Sequence, residues 1–364
     1  MDIEKLKEYF QNIVYSSKNI KVHVSNEFSN FLNLINDIPE LADKKNKIKN
    51  CCRELNKILR EYENGHVFKS YDLFDKMMHG LNHSLNAIIV NGKKPDDFLN
   101  KDFYRMRLSS SILSNKKEIF HTPISLRRKI NSQRYSVPGL PCLYLSSSVY
   151  TCWAEMNKPN IQDLHVSRYV LDDLAIVNIL NFTMIDPKRL FYRDKIHEFR
   201  GDNQMYIERI EPQFLIDAII LWPLLFVCSL KGSDKSDFYK PEYIIPQFLL
   251  QWIRTNHDLK GIAYFSTDLD TKNIDPFYCI NYVFPVESDA SEICTYLSNI
   301  FKLTDPYRCD VIENTVSAYR GVSPVLSHRR FQDCNYRGLE IYYEHTKYGK
   351  IEQYLQLFNA EKIE

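Results

Sequence analysis

The segment "QRYSVPGLPCLYLSSSVYTCWAE", residues 133–155, carries an arginine, a tyrosine and an acid on three successive short stretches. Arg134 precedes a Pro138-Gly139 pair, Tyr144 sits in an apolar run, and Glu155 follows a serine-rich turn. Their chemistries are complementary. A guanidinium fork takes phosphate oxygens two at a time. A phenol ring offers a face for stacking. A fixed carboxylate stabilises positive charge as it develops in a transition state.

The elements that must bring them together are legible locally. "PCLYLSS" is expected to form a strand, with Cys142 and Tyr144 on one face and Leu143 and Leu145 on the other. "SSVYTCWAEM" is expected to open a helix behind a serine N-cap, with Glu155 about two turns along it on the flank facing the strand. Arg134 can fold back over that strand from the turn. Two more segments fit the same cleft. "FYRMRLS" (103–109) sets Arg105 and Arg107 on one side of a strand, and "GIAYFST" (261–267) is an apolar strand ending in a hydroxyl pair.

Taken in order, these segments resemble the RES-domain proteins, the toxins of a bacterial toxin–antitoxin class named for their Arg, Glu and Ser. The resemblance rests on Tyr104-Arg105, Arg134-Tyr135, "GLPCLY" ending at Tyr144, Glu155, and "GIAYFS" ending at Ser266. It spans about residues 103–287. Three positions depart from the family pattern: Gln133 stands for its glycine, Tyr135 for its tryptophan and Ser136 for its asparagine. The charges are kept, and the three changes bear on the shape of the cleft and on substrate preference.

The resemblance implies an ADP-ribosyltransferase-like fold that takes NAD as substrate and breaks its nicotinamide–ribose bond, without a metal. Such a bond breaks through an oxocarbenium-like transition state, as in glycoside hydrolysis. By that resemblance Glu155 stabilises the ribosyl cation and holds a ribose hydroxyl. Arg105 and Arg134 bind the pyrophosphate, Tyr144 stacks on nicotinamide, and Ser266 orients Glu155 or the amide. No GxGxxG fingerprint is present, so a Rossmann mode of NAD binding is not expected.

Composition bounds the rest. The 364 residues are 44% hydrophobic and 26% charged, values of a globular protein. A net charge of +1 gives no general reason to expect nucleic acid or a membrane as partner. The nine cysteines, an odd count at irregular spacings, suggest reduced thiols in a cytoplasm, and the lack of a CxxC pair argues against a zinc site. "FLIDAIILWPLLFVCSL" (214–230) is broken by Asp217 and Pro223 and reads as buried core, not as a membrane span. His79 and His83 lie four apart on an expected helix without the acid of an HExxH site, so a packed or solvated helix face is the better reading. The basic run "SLRRKINSQR" (125–134) reads as a solvated loop beside the NAD phosphates.

An α+β protein in three parts is therefore expected. Residues 1–98 show helical periodicity and form a regulatory or assembly domain. Residues 99–290 form the RES-like domain, and 291–364 an extension that packs on it. A chain lacking residues 1–98 is expected to keep its Glu155-dependent NAD cleavage, with a changed rate or a changed oligomeric state. The function expected is NAD depletion by a glycohydrolase or phosphorylase acting as a toxin or defence effector, with an antitoxin or regulatory partner and a homo-oligomeric state. The alternatives are a protein mono-ADP-ribosyltransferase and a degenerate nucleotide-sensing module.

Overall fold

The computed structural model describes residues 3–91, 102–190, 211–232, 234, 236–256, 258–269, 275–287, 292–312, 330–332 and 340–363. Its longer helices and the one that follows the serine-rich turn are, in chain order, α1 (Ile3–Gln11), α2 (Ile20–Asn36), α3 (Lys45–Glu63), α4 (Val67–Leu85), α5 (Val149–Glu155), α6 (Pro212–Cys228), α7 (Ile244–Thr255) and α8 (Lys347–Gln356). The strands are β1 (Ile89–Val90), β2 (Asp102–Leu108), β3 (Cys142–Ser146), β4 (Leu164–Leu171), β5 (Ile179–Asn181), β6 (Gly261–Phe265), β7 (Ile280–Pro285), β8 (Phe301–Leu303) and β9 (Tyr307–Arg308), with a separate antiparallel pair β10 (Arg330–Gln332) and β11 (Glu340–Tyr342). The large sheet is ordered β1-β5-β6-β7-β3-β2-β4-β8, with β9 beside β4. Helices gathered in the N-terminal half and a mostly antiparallel sheet make this an α+β arrangement.

The chain resolves into two compact units. The first joins residues 1–89, 133–135 and 180–257; the second takes 90–132, 136–179 and 258–364. This division departs from the boundaries expected at residues 98 and 290. Its physical reason is α6. Every residue from Asp217 to Cys228 is buried, so this helix must be covered all round. The amphipathic N-terminal helices supply the cover. Ile20, Val24, Phe28, Phe31 and Ile35 line one face of α2, and Ile48, Cys51, Cys52, Leu55, Ile58 and Leu59 one face of α3. Both α3 and α4 pack on α6, and α7 joins the same core. Trp222 is the centre of an aromatic cluster, 4.1 Å from the Phe31 ring, 5.2 Å from Phe226 and 5.8 Å from Phe10. The apolar run read as core is core, and among the described residues no helix is long and apolar enough to cross a membrane.

In the second unit the sheet is antiparallel through its centre. β3 pairs with β7 in the register Tyr144↔Val283 and Ser146↔Asn281, and β7 pairs with β6 through Asn281↔Tyr264. β2 pairs along its length with β4, from Asp102↔Val170 to Leu108↔Leu164, but shares only Tyr104↔Ser146 with β3. Gly261, the glycine that opens "GIAYFS", is required by close approach: a Cβ there would meet the Val283 carbonyl oxygen at 2.8 Å. Helix α5 packs on β2 and β3, and α8 packs on α5 and β4.

Candidate functional site

Glu155 owes its place to a short helix with defined ends. Ser148 caps α5, its hydroxyl accepting the Thr151 N–H at 3.1 Å, as the serine-rich turn suggested. The same hydroxyl donates to the Tyr278 carbonyl at 2.6 Å, tying the start of α5 to the approach to β7. The helix ends at Glu155. Beyond Met156, Asn157 and Lys158 take positive φ values of 61° and 54°, and their N–H groups return to Ala154 and Trp153 carbonyls. Left-handed backbone at two successive non-glycine residues turns the chain sharply away, at a cost of order 1–3 kcal/mol each.

The carboxylate is held by a residue that sequence reading did not single out. Asn281 Nδ2 donates to Glu155 Oε1 at 2.6 Å, and Asn281 Oδ1 accepts from Ser146 Oγ at 2.7 Å. Asn281 is 5% exposed and Ser146 equally so, which leaves the amide no solvent alternative. Once Ser146 donates to the amide oxygen, only the amide nitrogen remains for Glu155, so the carboxylate oxygen that faces it must be an acceptor. The register explains the meeting: Ser146, Asn281 and Tyr264 form one row across β3, β7 and β6. A signal was present in the sequence. Asn281 is the one amide in the apolar strand "INYVFP", and a buried polar side chain in such a strand needs a partner.

Arg105 and Tyr144 are also brought together. Where β2 parts from β3 after their single registered pair, Arg105 Nη1 donates to the Tyr144 carbonyl at 2.8 Å. Its Nε donates to the Ile119 carbonyl at 2.9 Å. The guanidinium thus replaces a missing stretch of ladder. Its Nη2 makes no hydrogen bond to a described residue. Arg105 is half-buried as a residue with its charged end enclosed, and that loss of water pulls its pKa below the usual arginine value, short of neutralising it. The Tyr144 ring is half-buried and its hydroxyl donates to Ser136 Oγ at 3.2 Å.

Two expected site residues are engaged elsewhere. Ser266 is fully buried; its hydroxyl accepts the Asp268 N–H at 3.2 Å, and its own N–H donates to the Cys279 carbonyl at 2.7 Å. It makes no hydrogen bond to Glu155, and the orienting contact expected of it is made by Asn281. Arg134 belongs to the first unit, whereas Arg105, Tyr144, Glu155 and Ser266 belong to the second. Its Nη1 donates to the Cys228 and Leu230 carbonyls at 3.2 and 2.9 Å, and its guanidinium lies 5.2 Å from the Tyr243 ring. That is a cap on the C-terminal end of α6, where orphan carbonyls and the helix dipole favour a cation. Arg107 is exposed and donates to the Glu118 carbonyl.

A curated protein of Bacillus subtilis (strain 168), named "Putative toxin YopC", is 27% identical over 341 residues, covering 91% of this chain and 74% of the relative. The chain resembles a protein named as a toxin. No family model matches it, and no solved structure does. Along so much of its length the likeness takes in both units, so neither is an addition peculiar to this chain.

The remaining polar groups do not compete as a site. Among the described residues no group of three or more His, Cys, Asp or Glu side chains could hold a metal. His79 lies 3.6 Å from Asp75 one turn earlier on α4, an exposed helix-face pair. The eight cysteines among the described residues are buried thiols, and burial pushes the Cys51, Cys152 and Cys228 thiols up to about 12. At that value they carry no thiolate near neutrality and are no nucleophiles.

Proposed function

We propose that the protein is an NAD-consuming toxin or defence effector whose second unit cleaves the nicotinamide–ribose bond. The observation that carries the reading is the Ser146–Asn281–Glu155 chain, in which two buried side chains orient one carboxylate on the helix that packs on the strand bearing Tyr144. A carboxylate oriented in advance pays no reorganisation as an oxocarbenium forms beside it. Asn281 orients Glu155 by donating to its carboxylate oxygen. Arg105 Nη2 is the donor for a pyrophosphate oxygen, and the Tyr144 ring is the stacking face for nicotinamide. The bond that breaks is C1–N of the ribosyl-nicotinamide, whose electron pair leaves with nicotinamide; water, inorganic phosphate or a protein side chain then takes the ADP-ribosyl group. The likeness to a protein named as a toxin supports the biological role and not the chemistry.

One observation favours a second reading. Arg105 spends two donor groups on backbone carbonyls, and Arg134 caps a helix, so part of the expected phosphate machinery is structural. A nucleotide-sensing module would tolerate that. The deciding experiment incubates the protein with adenylate-labelled NAD, in buffer with and without phosphate and then with cell lysate. Loss of NAD with label in small molecules supports the glycohydrolase or phosphorylase, and label in a protein band supports transfer. Bound but intact NAD supports the sensor.

A further inference from the structure

The C-terminal residues 343–356 lie beyond every motif discussed so far, yet they touch the helix that carries Glu155. Glu352, on α8, accepts two hydrogen bonds at Oε1: from the Val149 N–H at 2.7 Å and from the Tyr343 hydroxyl at 2.6 Å. Val149 is the first residue of α5. The Tyr343 hydroxyl in turn accepts the Tyr150 N–H at 3.4 Å. The first turn of α5 is therefore gripped by a carboxyl and a phenol from one C-terminal segment.

That segment is itself built rigidly. Tyr343 is 2% exposed and stacks on Tyr278 with ring centroids 3.9 Å apart. Thr346 caps α8 through the Gly349 N–H at 3.1 Å. Gly349 lies so near the Tyr343 turn that a Cβ would press on the Tyr343 carbonyl and approach Glu344 Cα to 2.6 Å. Tyr150 and Trp153 also pack on Tyr348, at 5.0 and 5.2 Å between ring centroids. The grip comes from a seated anchor, and α5 is only seven residues long, so what holds its first turn also sets where its last residue stands.

We propose that Glu352 is a positioning residue: together with Tyr343 it fixes α5 and, through that helix, the location of Glu155. The C-terminal segment is then part of the site's framework and not an accessory extension. As a role in catalysis this rests on the proposed NAD cleavage; as a statement about α5 it does not.

The test uses the full chain, with Glu352→Ala, Glu352→Gln and Tyr343→Phe. Glu352→Gln keeps an acceptor oxygen of the same shape at Oε1, and Tyr343→Phe removes one hydroxyl while keeping the ring stack. Peptide-level hydrogen exchange should show faster exchange over residues 149–151 in Glu352→Ala, a smaller increase in Tyr343→Phe, and protection restored in Glu352→Gln. Displacing a catalytic group by about 1 Å costs on the order of 100-fold in rate. The kcat for NAD cleavage in Glu352→Ala should therefore fall at least about tenfold with NAD affinity held within about threefold, and Glu352→Gln should recover most of the loss. If Glu352→Ala does not fold, Tyr343→Phe carries both readouts. Unchanged exchange at 149–151 would overturn the proposal, as would loosened exchange with unchanged kcat. Should the wild type cleave no NAD, the functional reading falls, and the exchange experiment still decides whether this segment holds α5.

Discussion

At the scale of single residues Asn281 is the group that joins Ser146 to Glu155. An amide facing a carboxylate contributes about 1.5–3 kcal/mol, because the acceptor is charged. Asn281→Ala should leave Glu155 and Ser146 without their shared partner, lowering kcat for NAD cleavage by about 10–100-fold while the fold survives; steady-state kinetics beside a melting curve checks both. Asn281→Asp is the sharper variant. Two carboxyls sharing one contact cannot both ionise readily, so the pair retains a proton. Activity of Asn281→Asp should climb with pH between about 5 and 8 as that proton leaves. A flat profile in the variant would separate Asn281 from the chemistry. Arg105→Ala should weaken NAD binding by about 1.5–3 kcal/mol in calorimetry and also lower the melting temperature, since Nε and Nη1 each serve a backbone carbonyl.

At the scale of elements, β3 and α5 follow from local rules. The short apolar run "CLYLS" makes the strand, Ser148 caps the helix, and Glu155 falls about two turns along it. The partners of these elements do not follow from local rules. Register against β7, which places Asn281 beside Ser146, is a long-range pairing that no window of sequence contains. The seat of α5 on α8 joins residues about two hundred positions apart, and neither helix announces the other. Likewise α6 declares through its long apolar run that it is buried, but not by which helices. Its packing gives a direct test. Trp222→Ala should cost about 3–5 kcal/mol, the range for deleting a large buried aromatic, read from denaturant unfolding. A loss below about 1 kcal/mol would mean that the Phe31, Phe226 and Phe10 cluster is not the centre of the first unit.

At the scale of the whole molecule, the N-terminal helices are structural partners of residues 212–255. Removal of residues 1–89 strips cover from α6, and the remaining chain should aggregate or unfold; a single monodisperse species with cooperative melting would contradict this. A second whole-molecule property is pH dependence. Burial lifts the Glu352 carboxyl to about 8, with the Asp102 carboxylate adding to the rise; Asp102 is itself paired with Arg168 at 3.0 Å, and Tyr104 and Tyr343 are the neutral phenols nearby. The unfolded chain releases this proton near its ordinary value while the folded chain keeps it, so stability falls as pH rises from about 4.5 to about 8 and then levels. Glu352→Gln removes that contribution. Its melting temperature relative to wild type should rise across this window and stay constant above it.

The central claim, that Glu155 is a preorganised carboxylate for breaking the nicotinamide–ribose bond, is tested most directly by one comparison. NAD turnover and NAD affinity are measured for the wild type and for Glu155→Gln, which keeps the shape and a partner for Asn281 but loses the charge. The wild type should turn NAD over, and the variant should fall on the order of 100–1,000-fold below it with NAD affinity within about threefold. Wild-type protein that binds NAD and leaves it intact, or a variant that turns NAD over within about threefold of wild type, would contradict the claim.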